Sequence, residues 1–528
     1  MMKLLIQSLV ILIIFLAFHC DNIEGLKILG IFPLPGRSHF IPNGQLMKAL
    51  ANRGHQVDVV SHFPLKKTIP NYTDISLAGL SPQVTNNVTY EETKTFTKLS
   101  MRQFVYKTGI AVCDLLSADV FQKLLKTPKN TYDVIVVELF SSNCYVAFGK
   151  HLNAPVVGTV LSKMHDWLYS PFGVPFNTAY MPSLFSSFSQ SMTFLERLQN
   201  TFIGTIVTPQ INYYLENERE HVEKYFQRKL STIYEVYDDI ALVLVNSHHT
   251  LNEIIPTPPG VIEVGGLHVH DDQQVLSTDV QKWLDNSKNG CVYFSFGSMV
   301  RIETFPAKSL KAFYEMFKKI APVRVLLKIA DPTILPSGLP NNVMTSDWLP
   351  QVAVLKHPNV KLFITHGGLI GTQEAVVHGV PMIGFPIFGD QYTNIQTYVN
   401  KKIAIALNHL EITGDTLTDA VKTVLHDPTY RKNIKIISAL FNDRPMTAMD
   451  TAIYWVEYAA RHGNILKSPA TNLTWWQYYL IDVYATVLFG LLFILLIIKF
   501  ILKFLFKIVC SRKSNEAKMS ISKNKKNK

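Results

Sequence analysis

From Val483 to Ile498 the chain carries no charged side chain, and the apolar run resumes past Lys499 to Leu502. A bilayer-crossing helix needs about 20 apolar residues, and lysines at its edge reach the interface with their long stems. A water-soluble fold would instead have to bury Lys499, Lys503 and Lys507 together with the run. Each would be a desolvated charge without a partner. The run therefore predicts a transmembrane helix over residues 480–503. Trp475, Trp476, Tyr478, Tyr479 and Tyr484 supply an aromatic belt on its N-terminal side. Everything upstream must fold as a body tethered to that helix.

The charge distribution agrees. Of 528 residues 48% are hydrophobic and 17% charged, against about 25% charged in soluble domains. The formal net charge is +11, but residues 499–528 hold ten Lys or Arg against the single Glu516. The body is close to neutral, so nucleic acid is not an expected partner. The basic tail, residues 504–528, belongs on the cytoplasmic side and the body on the other. A second apolar stretch, Leu4–Phe18 after Lys3, has the form of a secretory signal over residues 1–25. Three Asn-X-Thr sequons, at Asn71, Asn87 and Asn472, fit a lumenal, glycosylated body. Lys525 and Lys526 stand fourth and third from the end, resembling a dilysine retrieval signal of the endoplasmic reticulum. The expected product is a single-pass type I protein of that membrane. Cys113, Cys144 and Cys291 remain in the body, allowing at most one disulfide, and no CxxC metal pattern is present. Disordered, collagen-like and disulfide-scaffold classes are excluded by the high apolar content, 26 glycines and five cysteines.

Within the body, short apolar runs alternate with amphipathic stretches. Strands are expected at Ile28–Phe32, Gln56–Ser61, Tyr132–Glu138, Val156–Leu161 and Leu242–Asn246, with a helix at Gly44–Arg53. The second half repeats the pattern: strands at Gly290–Phe296, Arg324–Ile329, Val343–Ser346, Leu362–Thr365 and Pro381–Phe385, with helices at Ala307–Ile320 and Gly371–His378. Such alternation predicts an α/β fold with parallel sheets. The expected layout is two Rossmann-like domains, 26–266 and 288–470, facing across a cleft and joined by a polar linker, 267–287. Ligands of such sheets bind at the carboxyl ends of the strands. The stretch Ser170–Leu230, rich in Phe, Tyr, Met, Ser and Pro, reads as an insertion packed in the core, an apolar pocket or a membrane-facing surface.

The densest chemical motif runs Phe363-Ile364-Thr365-His366-Gly367-Gly368-Leu369-Ile370-Gly371-Thr372-Gln373-Glu374 and on to Asp390-Gln391. A strand ending at Thr365, a glycine turn and a helix beginning near Gly371 form an anion site, with His366 as a further donor. Glu374 can accept from ribose hydroxyls, and Asp390 and Gln391 from or to sugar hydroxyls. Trp348, followed by Gln351, offers a flat face for a base, and Ser298 stands at another strand end. This pattern resembles the signature of the UDP-glycosyltransferases, and the resemblance spans essentially the whole chain, most closely the animal UDP-glucuronosyltransferases of the invertebrate branch. It implies a GT-B fold, a UDP-sugar donor held by the C-terminal domain and a small lipophilic acceptor in the N-terminal one. Trp348 would stack on uracil and Gln351 would fix the nucleoside. Ser298, His366, Gly367 and the Gly371 backbone would hold the diphosphate, Glu374 the ribose, and Asp390 and Gln391 the hexose. The family uses no metal and no cofactor beyond the donor co-substrate, and it allows a homo-oligomer. One departure stands out: Ile370 occupies a position where many members have Asn.

In the first half, His39 follows the first strand in Phe32-Pro33-Leu34-Pro35-Gly36-Arg37-Ser38-His39. A neutral imidazole there suits removal of a proton from an acceptor hydroxyl. The resemblance pairs it with an acidic residue at the end of a later strand, where this chain has Glu138 in place of the usual Asp. The implied reaction is an inverting hexosyl transfer. Ile255 stands before Pro256 where glucuronate users are expected to have Arg, which favours a neutral hexose such as glucose. Two other readings stay open: a catalytically silent nucleotide-sugar or lipid-binding partner protein, and a lipid or glycan transferase of the secretory pathway.

Overall fold

The computed structural model describes residues 25–82, 85–97, 101–252, 254–269 and 275–526. Residues 1–24 of the expected signal, with Cys20, and Glu253, the expected linker residues His270, Asp271 and Asp272, and Lys528 lie outside them. Two compact units emerge, one ending at Lys467 and one running from Ser468.

The first unit contains two parallel sheets. Strands β1 (Lys27–Phe32), β2 (Gln56–Ser61), β3 (Tyr72–Ser76), β4 (Val134–Glu138), β5 (Val156–Val160), β6 (Ile240–Val245) and β7 (Val261–Glu263) are ordered β3-β2-β1-β4-β5-β6-β7. Strands β8 (Cys291–Ser295), β9 (Arg324–Lys328), β10 (Val343–Ser346), β11 (Val360–Thr365), β12 (Met382–Gly384) and β13 (Ala404–Ala406) are ordered β10-β9-β8-β11-β12-β13. Every pairing is parallel, for example Gly30 with Val59 on one side and Val136 on the other. Both sheets are covered on both faces, so their central strands β4, β5, β6 and β8 are buried at every position. Strands β3, β7 and β13 escape the sequence reading. They are edge strands of three to five residues, too short to show a period.

Two sequence boundaries shift. The first helix begins at Arg37, not Gly44, and runs to Asn52 with Pro42 inside it. A proline this near the start removes one hydrogen bond only. The helix after β11 begins at Leu369 with Gly368 as its N-cap, two residues before the expected Gly371. The helix Ala448–His462 follows the second sheet in sequence yet packs on the first: Met449, Ala452, Ile453, Val456 and Ala459 join Ile28, Leu46, Met47, Leu50 and Val134 in one buried cluster.

Cys113 and Cys144 form a disulfide, and Cys291 is a buried thiol. The second unit carries one continuous helix, Ile481–Lys526, whose stretch Ile481–Met519 is long and apolar enough to cross a membrane. Asn71, Asn87 and Asn472 are all exposed.

Candidate active site between the two sheets

The carboxyl ends of β1 and β4 bring the two N-terminal candidates together. His39 lies in the first turn of the helix Arg37–Asn52, not in the loop before it. Its Nδ1 donates to Glu138 Oε1 at 2.5 Å. Glu138 closes β4 and is 4% exposed. Burial alone would pull the His39 pKa down. The charge and hydrogen bond of Glu138, aided by Asp390, outweigh it, and the pKa lies above the ordinary value. The bond to Nδ1 leaves Nε2 as the basic nitrogen. Glu138 thus orients the imidazole and stabilises its protonated form.

Around His39 stand aromatic rings. Phe140 meets it edge-on at 4.9 Å and is flanked by Phe104 at 5.7 Å and His165 at 5.6 Å. His165 stacks on Trp167 at 4.4 Å. Burial, with His39 and Lys163 nearby, pushes its pKa down to about 3, so it is neutral. Sequence reading offered no signal for this wall, because its members come from three separate segments: Phe104 from the helix Met101–Val105, Phe140 from just past the end of β4, and His165 and Trp167 from the start of the helix Asp166–Tyr169.

The donor-side candidates gather at the ends of β8, β11 and β12. His366 is wedged between two backbones. A Cβ on Gly297, whose φ is +78°, would sit 2.7 Å from its Cε1. Gly367 has φ +92°, which turns the chain from β11 into the helix. Burial and the charge of Lys328 push the His366 pKa down to about 4. Its Nδ1 and the Ser298 hydroxyl are buried without a partner among the described residues. The helix Leu369–Val377 makes its first backbone bond at Thr372, so the N–H groups through Gly371 stay free of intrahelical partners. Two orphaned polar side chains beside a helix N-terminus make a site suited to a diphosphate.

Gln351 and Glu374 are linked to one another. Gln351 Nε2 donates to Glu374 Oε2 at 2.6 Å, and its Oε1 accepts from the Tyr293 hydroxyl at 2.9 Å. The other Glu374 oxygen lies 3.5 Å from His268 Nε2, which also donates to the Ile370 carbonyl at 3.2 Å. His268, expected in the linker, thus braces Glu374 from below. Trp348 is 40% exposed. Asp390 precedes the helix Gln391–Asn400 and accepts from Asn394 Nδ2 at 2.8 Å. Burial raises its pKa against that bond and the charges of His39 and Lys163. Gln391 is otherwise employed: its Oε1 accepts from the backbone N–H of Ile387 (2.8 Å) and Phe388 (3.0 Å). That oxygen shapes the loop between β12 and the helix Gln391–Asn400.

The halves also touch through backbone. Asn86 N–H donates to the Ser298 carbonyl at 2.7 Å, and Val88 N–H to that of Met299 at 3.1 Å. Lys328, missed by sequence reading, donates to Gly297 O at 2.9 Å and to Asn86 Oδ1. Among the described residues, the cluster of metal-ligating type is Cys113, Cys144 and Glu218, and its two sulfurs are bonded to each other.

Comparisons with known proteins show the family and the fold. The model described as UDP-glucoronosyl and UDP-glucosyl transferase matches residues 37–516. The chain belongs to this family. It is 37% identical over 474 residues to the UDP-glycosyltransferase UGT5 of Dactylopius coccus, covering 88% of this chain and 89% of that one. It is 30% identical over 486 residues to human UDP-glucuronosyltransferase 1A9, covering 89% of each. Among solved structures, the Phytolacca americana UGT2 complexed with UDP-2-fluoro-glucose and pterostilbene aligns with a TM-score of 0.55 at 17% identity, covering 83% of this chain and all of that one. The spinosyn forosaminyltransferase SpnP aligns at 0.54. The fold of this glycosyltransferase is therefore GT-B.

Proposed function

We propose that this glycosyltransferase moves a hexosyl group from a UDP-sugar to a hydroxyl of a small lipophilic acceptor, with inversion and without a metal. The observation that carries the reading is the 2.5 Å contact between His39 and Glu138, made opposite Asp390 of the donor half. His39 Nε2 takes the acceptor proton. The acceptor oxygen attacks the anomeric carbon from the face opposite UDP, and Glu138 holds the resulting imidazolium. Charge developing on UDP meets the helix N-terminus at Gly368–Gly371, Ser298 and His366. Trp348 would carry the uracil, Glu374 the ribose and Asp390 the hexose. The aromatic wall at Phe140 supports an acceptor with an apolar, planar body.

The relatives named above include glycosyl- and glucuronosyltransferases, so the sugar is argued from this chain. Ile255 packs against the apolar core of the first half, supplies no cation and supports a neutral hexose such as glucose. The proposed location is the endoplasmic reticulum membrane, body lumenal and tail cytoplasmic. The exposed sequons and the disulfide support it.

The test is turnover of UDP-glucose against UDP-glucuronic acid in microsomes carrying the full chain, with a panel of phenols and His39→Ala as control. Transfer from UDP-glucose that disappears in the variant is the expected result. Transfer from UDP-glucuronic acid alone would overturn the sugar assignment. UDP binding with no transfer from either would favour a silent binding protein.

A further inference from the structure

The helix that carries the base begins with a cation that the reaction above does not use. Arg37 is the first residue of the helix Arg37–Asn52, two positions before His39. Its guanidinium carbon lies 4.5 Å from the ring centroid of Trp348, in the opposite half. Lys328 approaches the same ring, its Nζ at 5.9 Å. The two cations are not equivalent. Lys328 has the carbonyl of Gly297 and the fields of Glu303 and Asp347 to balance it. Arg37 is half-buried, burial pulls its pKa down, and it forms no ion pair with a carboxylate among the described residues.

A guanidinium stays charged under such burial, and its planar fork matches phosphate oxygens two at a time. An aromatic face holds it meanwhile by cation–π attraction. Lys328, over the same Trp348 ring, links it to the donor side: it donates to the Gly297 carbonyl and its charge acts on His366, beside the orphaned Ser298 and His366 atoms and the helix N-terminus at Gly368–Gly371 where a diphosphate would lie. Resting on the reading of this cleft as a UDP-sugar site, we infer that Arg37 is a donor-recognition residue supplied by the acceptor half: its guanidinium and the uracil ring compete for Trp348, and the displaced guanidinium pairs with the donor's diphosphate. Donor binding is thereby tied to the helix that carries His39.

The two parts of the inference have opposite signs in one experiment. Affinities of UDP and of uridine are measured on the full-length chain in detergent, for the wild type, Arg37→Ala and Arg37→Lys. Uridine has the base without the phosphates. Arg37→Ala is expected to bind uridine as tightly as the wild type or several-fold more tightly. It should bind UDP about tenfold more weakly, the effect of losing one charge-assisted pair. Arg37→Lys should retain part of the UDP affinity, because it keeps the charge but not the fork. In turnover, the KM for the UDP-sugar should rise with the acceptor KM unmoved. An unchanged ratio of UDP to uridine affinity, in a chain that binds UDP, would overturn the role of Arg37 and leave the transferase reading standing. Failure of the wild type to bind UDP would overturn both.

Discussion

His39 and Glu138 are 99 positions apart in sequence, and each takes its role from the other. Without Glu138, burial would prevail and the imidazole would be a weaker base. His39→Ala is expected to lower kcat by about 10²–10⁴-fold, the usual worth of a positioned base, with UDP affinity retained; kinetics and a UDP titration check it. The pH profile follows from the raised pKa. The base works when neutral, so activity should fall as pH drops through a value above the usual ~6.5. In Glu138→Gln the acid limb should move to lower pH while kcat also falls. A limb that does not move would show that Glu138 does not charge the imidazole. On the donor side, Gly297→Ala forces a left-handed backbone on a residue with a Cβ and drives that Cβ into His366. A loss of about 1–3 kcal/mol in stability is expected from such strain, with a raised KM for the donor; thermal unfolding and kinetics read the two effects. At this scale the sequence reading named His39, Ser298, His366 and Asp390 from strand ends and glycine turns, and Glu138 from the family resemblance; the structure brings His39 and Glu138 together. Arg37, Lys328 and His268 carry no such mark. Their meaning comes from Trp348, Gly297 and Glu374, each distant in the chain.

At the scale of elements, the helix Ala448–His462 decides how the body holds together. Its apolar face completes the core around β1 and the helix Arg37–Asn52. Ile453→Ala should cost about 2–5 kcal/mol, as for other buried aliphatic truncations. The destabilised element should be the first sheet, although the residue follows the second. Hydrogen exchange resolved by peptide would locate the loss in Lys27–Ser61. A chain ending before Ala448 should expose that apolar cluster and aggregate. Periodicity identified most strands because they alternate with helices. It could not assign this last helix, since an amphipathic stripe states that a partner exists without saying which one. The start of the helix at Arg37 was missed for a related reason. Pro42 reads locally as a breaker, and only the packing of Phe40, Leu46 and Met47 shows that one lost hydrogen bond is tolerated.

For the whole molecule, the helix Ile481–Lys526 holds a stretch long and apolar enough to cross a membrane. The full chain should stay with the membrane pellet through alkaline carbonate extraction, and a chain ending at Lys467 should be released. Recovery of the full chain in the supernatant would refute a spanning helix. The orientation proposed here makes a second outcome measurable. Treatment with an endoglycosidase should increase gel mobility, and replacing Asn71, Asn87 and Asn472 by Gln should abolish that shift. An unshifted wild type would count against a lumenal body.

The chain's local chemistry dictated the alternating α/β elements, the glycine turn at Gly367 and the apolar stretch before the basic tail. Each depends on neighbours within a few residues, where backbone geometry and hydrophobic period act. Folding alone determined the rest. It joined Cys113 to Cys144, spent the Gln391 oxygen on a loop and seated a late helix on the first sheet. It also set the helix of His39 against Glu138 and laid Arg37 on Trp348. Most of these contacts join residues far apart in the chain, and their energies arise from burial and electrostatics that exist only once the chain has folded.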